Sequence, residues 1–469
     1  MNGLKIIKVE YILPTFLMLT FAIVLCCGIR LPSGFNNFIA TQYYKTILAV
    51  VTVLPILFLL CSKYFRQIMY TRKILLIGIA MFLLSLIYRE RYITNNTIVF
   101  LSCTLVFFAF ERKFYKLHTI YILFFTYFLW HLVSYFWAID FTGYKHFIVR
   151  YLPFIIIPLA FCLFRLQKRE INLILMVLFR AALIFLFLSL CCWVLESRML
   201  GLKLSDWFVS SKTNFGCYAP YNIVFWWTNY KHPTYNAIFY LTLLCFGLIF
   251  RQYKFEFKPG ILELVLFAAA SIIIVIITQS RTGLLVLGLI MLMFYFSFFR
   301  KNKKLFIINM MIFIFLTVLL SIIFNKEFSI FLHDETRIQN YATAFYYIKN
   351  HFWLGTGTGG MVQLFDSQQI ANLVGYPLAK INIHNPHNQF VGDLMQTGIV
   401  GLLLSIAISV YLIYVSVKSK NILLFAFFIL FFVVMMIEMP LSLDKGINYF
   451  VLFTCVLMQN TKNKTQDVT

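Results

Sequence analysis

Ile383-His384-Asn385-Pro386-His387-Asn388-Gln389-Phe390 leads, through Gly398 and Gly401, out of the most polar cluster of the chain and into an apolar helix. Two histidines and three amides stand together at a membrane entry point, in a sequence that is 61% hydrophobic. The rest of the chain reads as scaffold, anchor or accessory to this stretch.

The 469 residues have a mean hydropathy of +0.85, and 12% of them are charged, against about a quarter in a soluble globular domain. The fold class expected is all-α, a polytopic membrane protein. The formal charge of +23 is distributed as short basic clusters between apolar runs, which suits a topology signal and indicates no nucleic-acid partner. Nine of the cysteines lie inside apolar runs, Cys217 alone stands in a polar loop, and no C-x-x-C pair occurs. Neither a disulfide framework nor a zinc site is indicated. Lys5 and Lys8 precede an apolar stretch from about Tyr11 to Gly28, read as a retained anchor because it is long for a signal peptide and lacks a small-x-small cleavage site.

A spanning helix takes roughly 17 to 25 apolar residues. That rule places candidates near residues 19, 54, 81, 104, 128, 156, 183, 241, 270, 291, 315, 406, 430 and 453, or about 12–14 transmembrane helices. Cytoplasmic connections carry the excess of Lys and Arg. With the N-terminus inside, the inner connections are Lys63/Arg66/Arg72/Lys73, Arg112/Lys113/Lys116, Arg165/Lys168/Arg169, Arg251/Lys254/Lys258 and Arg300/Lys301/Lys303/Lys304. Arg89 and Arg91, on the outer side, are the exception. Both termini are expected in the cytoplasm. Four regions follow: N-terminal helices over 1–118, a central core over 119–324 with an outer loop at 196–231, a large outer loop over 325–396, and C-terminal helices with a tail over 397–469. In the large loop, Asp334 is placed to cap a helix on which Ile338, Tyr341, Phe345, Ile348 and Phe352 recur at helical spacing. That helix is expected to lie along the membrane surface or cover a cavity. Gly355-Thr356-Gly357-Thr358-Gly359-Gly360 then reads as a flexible run, without the Lys-Ser/Thr that completes a phosphate loop.

Arg281, in Thr278-Gln279-Ser280-Arg281-Thr282-Gly283, sits between apolar runs with almost no loop to spare. An arginine at a helix centre costs about 2.5 to 3.5 kcal/mol, so it belongs at the interface, closing a helical hairpin, or in a polar cavity as an anion clamp. The small polar neighbours favour the clamp. Arg337 falls in the first turn of the outer helix, where the dipole favours a bound anion; it is either a phosphate contact or a solvated surface residue. Lys145 and Arg150, following Trp137-Ala138-Ile139-Asp140, form a weaker cationic point or an interfacial anchor. His232 precedes Pro233 at an outer boundary. His384 and His387 are the candidates for a general base, because a neutral imidazole accepts a proton from an attacking hydroxyl. Asn385 and Asn388 can orient the ring or hold sugar hydroxyls, or cap the next helix. No carboxylate joins the histidine pair until Asp393, and Arg30 to Lys45 contains no Asp or Glu. A mechanism without metal or other cofactor is therefore expected, with arginines neutralising the leaving group. Glu438, ahead of Met439-Pro440, is isolated and reads as structural.

In combination these pieces resemble the O-antigen ligase and polymerase superfamily of bacterial envelope enzymes. The order is Trp137-Ala138-Ile139-Asp140, His232-Pro233, Ser280-Arg281-Thr282-Gly283, Arg337 with its helix, then the histidine motif. His387-Asn388, nine residues, Gly398, two residues and Gly401 match the family's His-Asn to Gly-x-x-Gly spacing, and Arg281 to Leu285 its Arg-x-x-x-Leu. The resemblance covers roughly residues 120 to 440. It implies a GT-C-like bundle in the bacterial cytoplasmic membrane with a large helical periplasmic loop. It also implies an inverting, metal-independent transfer of a glycan from undecaprenyl pyrophosphate on the periplasmic face. The acceptor would be lipid A core in a ligase, a growing glycan in a polymerase, or a protein in a third group. Carried onto this chain, His387 would be the base with His384 assisting, because the glycine spacing counts from His387. Arg281 and Arg337 would hold the pyrophosphate, with Arg150 or His232 lending further contacts. A lipid-linked oligosaccharide flippase is the reading from another class. It would share the spans but would not need the long outer loop, and no internal repeat of the kind transporters carry is visible.

Overall fold

The computed structural model describes residues 53–54, 56–87, 90–141, 143–199, 233–277, 280–299, 335–365 and 385–459. All regular structure in them is helical, as apolar runs in hydrocarbon require, since each backbone N–H and C=O must be paired within its own segment. The main helices are α1 (Tyr70–Ser85), α2 (Glu90–Glu111), α3 (Thr119–Val133), α4 (Tyr144–Tyr151), α5 (Pro153–Phe161), α6 (Lys168–Met199), α7 (Pro233–Gln252), α8 (Ile261–Ile277), α9 (Arg281–Phe299), α10 (Glu335–Asn350), α11 (Gln389–Lys418), α12 (Ile422–Ile437) and α13 (Asp444–Met458). By length and composition five helices can cross a membrane: Ile93–Glu111, Thr119–Trp137, Tyr144–Phe161, Lys168–Cys191 and Gln389–Lys418. Ala237–Gln252, Ile261–Val275, Thr282–Phe294 and Ile422–Ile437 are apolar but shorter. The chain is thus an all-α polytopic membrane protein. The span expected near 156 is broken between α4 and α5, where Pro153 opens the second piece; proline suits a first helical turn and obstructs a continuing one. The candidates near 19 and 315, positions 200–231 of the outer loop and Asp334 lie outside the described residues, while positions 196–199, expected in that loop, still belong to α6.

Helix α11 is the axis of the C-terminal half, packed on α3, α10 and α12, while α13 packs on α5 and α12. Helix α6 packs against α1, α7 and α8. Its charges are answered inside the bundle: Arg180 meets Glu263 at 2.9 Å, and Glu170, fully buried, holds Arg72 at 2.6 Å. The basic connections within the described residues gather at one end. Arg169 pairs with Glu256, Asn172 bonds Phe257, Tyr64 bonds Gln167, and Tyr115 N–H bonds Cys162 O.

The opposite end is laced by the glycine run, and here the structure corrects the expectation of a flexible segment. Gly355, Gly357 and Gly359 take φ of +73°, +85° and +107°, a region a side chain rarely enters. A Cβ on Gly357 would stand 2.2 Å from Ala138 Cα, and one on Gly355 2.4 Å from the Gln396 backbone. The run threads between the Trp137-Ala138-Ile139 segment and a break in α11. Ile139 N–H donates to Thr356 O, Thr356 N–H to Met395 O, and Gly357 N–H to Gln396 O. Trp137 Nε1 reaches Leu354 O at 2.6 Å, and Trp130 Nε1 reaches Thr397 O at 2.9 Å. The break is Gly398 (φ 67°, ψ −164°). The carbonyls of residues 395–397 thus find partners outside α11, and Ile399 N–H turns to Phe352 O. These bonds satisfy groups that a helix break would otherwise leave open. The boundary expected at 396/397 therefore lies within a helix that starts at Gln389 and is interrupted just past that point.

Helix α10 splits the expected apolar stripe between its two sides. Ile338, Phe345 and Phe352 are exposed, while Gln339, Asn340, Thr343, Ala344, Tyr347 and Ile348 are buried. The side against the protein is therefore largely polar, and the outward one aromatic. An aromatic outer face suits a helix beside lipid, as a place along the membrane surface requires, while Ile348 of the same stripe turns inward.

Candidate active site

The histidine motif is positioned by its own amides. Asn385 Oδ1 accepts the His387 backbone N–H at 2.8 Å, an Asx turn closed across Pro386. It holds His387 at φ +49°, a left-handed conformation costing about 1–2 kcal/mol for a residue with a Cβ. Asn388 is the N-cap of α11: its Oδ1 accepts from Phe390 N–H and Val391 N–H, at 3.0 and 3.1 Å. Its Nδ2 donates to Met436 O at 3.0 Å. Gln389 Oε1 accepts Leu441 N–H at 2.9 Å. These two amides clamp the segment after α12 to the start of α11, and Glu438 lies within that segment. Asn385 and Asn388 thus hold the backbone on either side of the His387 ring.

Held this way, Glu438 comes within 2.8 Å of the His387 ring, Oε2 to Nδ1, and both side chains are about 95% buried. Its other oxygen, Oε1, lies 3.5 Å from Arg337 Nη2. One carboxylate thus bridges the two residues that the sequence placed in the site, and Glu438 is not the isolated structural residue expected of it. A buried carboxylate in an apolar bundle requires cationic or hydrogen-bonding partners, and that requirement was the signal available in the sequence.

Arg150 pairs with Asp444 at 3.4 Å and lies over Phe147, reaching the first residue of α13 rather than Glu438. Arg281 opens α9 behind Ser280, whose Oγ accepts Gly283 N–H at 3.0 Å as an N-cap; its side chain lies outside the described residues. Gly283 packs so closely that a Cβ would stand 2.9 Å from Ala237 Cβ. His232 and His384 lie outside the described residues. Beneath the site a polar knot joins α3 to α11: Tyr127 OH and Gln389 Nε2 donate to Asp393 Oδ1 at 3.0 and 2.8 Å, and Ser405 Oγ donates to Oδ2. Asp393 therefore braces the helix rather than joining the histidine.

The arrangement suits proton abstraction beside an anion. With Nδ1–H donated to Glu438, Nε2 is the nitrogen whose lone pair can accept a proton, and the carboxylate stabilises the imidazolium that results. Arg337 brings a guanidinium, whose fork of donors fits phosphate oxygens, to the same carboxylate. Among the curated proteins no match to the chain is found. Residues 266–406, which contain Arg281, Arg337, His387, Gly398 and Gly401, match the family model described as O-antigen ligase (Wzy_C), and this match supports the chain's place in the O-antigen ligase and polymerase superfamily.

Proposed function

We propose that the chain is a glycosyltransferase that moves a glycan from undecaprenyl pyrophosphate onto an acceptor hydroxyl, with lipid A core as the acceptor. The observation that carries this reading is the buried His387–Glu438 pair with Arg337 on the second carboxylate oxygen. The acceptor oxygen attacks the anomeric carbon while its proton passes to His387 Nε2. The bond from that carbon to the pyrophosphate oxygen breaks, and the carrier leaves with its negative charge. Attack from the face opposite the leaving group inverts the anomeric centre. Arg337 and Arg281 are assigned to the developing charge of the leaving group, where donors aimed at charge in a dry site are most effective. Glu438 holds the imidazole in the required tautomer. The His387 end is assigned to the periplasmic side of the cytoplasmic membrane, because the basic connections gather at the other end.

Envelope polysaccharide from a deletion strain complemented with His387→Ala tests the reading. Long chains left on the carrier lipid are expected. A core bearing one repeat unit would instead identify a polymerase using the same donor, and a normal banding pattern would remove His387 from the chemistry.

A further inference from the structure

A cavity of about 530 Å³ opens at the end of the bundle opposite His387. Its walls come from the α11–α12 turn, the segment ahead of α6, Tyr115 near α3, and the start of α1. Arg72, Arg165, Lys168 and Lys420 line it, with no carboxylate among the lining residues. Glu170 lies behind Arg72 and binds it at 2.6 Å through both oxygens, which neutralises that one cation. Among the described residues no ion pair reaches Arg165, Lys168 or Lys420. Two helices also begin here, α6 at Lys168 and α12 after its cap Asn421, and their dipoles add to the positive potential. A half-open pocket with surplus positive charge calls for an anion.

Depth selects the kind of anion. The cavity lies within a few residues of the ends of α6, α11 and α12, hence at the level where hydrocarbon gives way to headgroups. Tyr414, exposed on the last turn of α11 and bonded to Lys418 Nζ at 2.7 Å, marks the same level, where tyrosines collect. We propose that the cavity binds a phosphate ester, offered at this depth by the headgroup of an anionic phospholipid. The site is separate from the transfer chemistry and does not depend on the assignment of His387.

The test is lipid retention by the purified full-length protein, followed by native mass spectrometry and by titration with phosphatidylglycerol or phosphatidylcholine in nanodiscs. The double variant Arg165→Gln/Lys420→Gln is expected to bind phosphatidylglycerol about ten- to thirtyfold more weakly, from the loss of two surface cations. Lys73→Gln/Lys418→Gln removes the same charge at the same end but outside the cavity, and should bind as the parent does. Arg165→Lys/Lys420→Arg, which keeps the charge, guards against misfolding and should retain binding. Equal weakening by both neutralising pairs, or no preference for phosphatidylglycerol, would overturn the site. Displacement of the lipid by millimolar glycerol 3-phosphate would keep the phosphate site and overturn the lipid as its source.

Discussion

The two ends of α11 use the same backbone device for different purposes. His387, just ahead of the helix, and Lys420, just past it, both take left-handed backbone, at φ +49° and +53°. At the start, side chains enforce it: Asn385 holds the His387 N–H, Asn388 caps the helix, and Glu438 grips the ring. At the end, backbone alone does so, with Asn421 N–H on Ser416 O and Lys420 N–H on Val417 O, the paired bonds of a Schellman turn. One end places an atom, and its imidazole and guanidinium share a buried carboxylate. The other places a charge, and its lining cations outnumber the single acid behind them. Chemistry needs geometry held by many partners; anion binding needs only potential in a pocket.

This contrast can be broken from either side. The largest effect is expected from His387→Ala, which should lower the transfer rate by about 10²–10⁴ in purified protein, with about 1–3 kcal/mol of stability lost from the Glu438 oxygen left without the imidazole. Glu170→Ala attacks the opposite end. Removing the partner of Arg72 should cost about 3–5 kcal/mol of stability, measured by denaturation in detergent, and should tighten phosphatidylglycerol binding because Arg72 then adds to the cavity's charge. Glu438→Gln keeps the shape of the outer site but loses the carboxylate. A fall in kcat of about a hundredfold with little change in KM is expected, and a change confined to KM would reduce Glu438 to a packing residue. The smallest effect is expected for Trp137→Phe, where losing the bond to Leu354 O should cost about 1 kcal/mol in thermal unfolding, with catalysis preserved.

Much of the fold was legible because hydrocarbon leaves few options. Every expected span centre within the described residues falls in a helix, and the four basic connections among those residues share one end. The histidine motif and Arg337 were legible as candidates because polar residues are scarce in this chain and stand out. Glu438 was not, since its role depends on which carbonyl Asn388 reaches 48 residues away, and pairing across a hairpin is set by packing rather than by local pattern. The glycine run was misread for a related reason. Gly355 to Gly360 resembles a linker when viewed alone, and only the backbones of Ala138 and Gln396 beside it show that glycine was needed for close approach. Helix α10 showed the expected helix, but its stripe divides, with Ile338 and Phe345 outward and Ile348 inward, because an apolar side chain is accommodated by lipid as readily as by a core.

The Glu438 bridge also orders events in time. His387 precedes its carboxylate by 51 residues, and Arg337 lies earlier still, so during N-to-C synthesis both partners are made before the acid that joins them. The triad closes only once α12 has been laid against α11 and the segment after it has docked on Asn388 and Gln389. A nascent or truncated chain therefore carries the histidine without its orienting partner, and competence for the reaction arrives with the last hairpin.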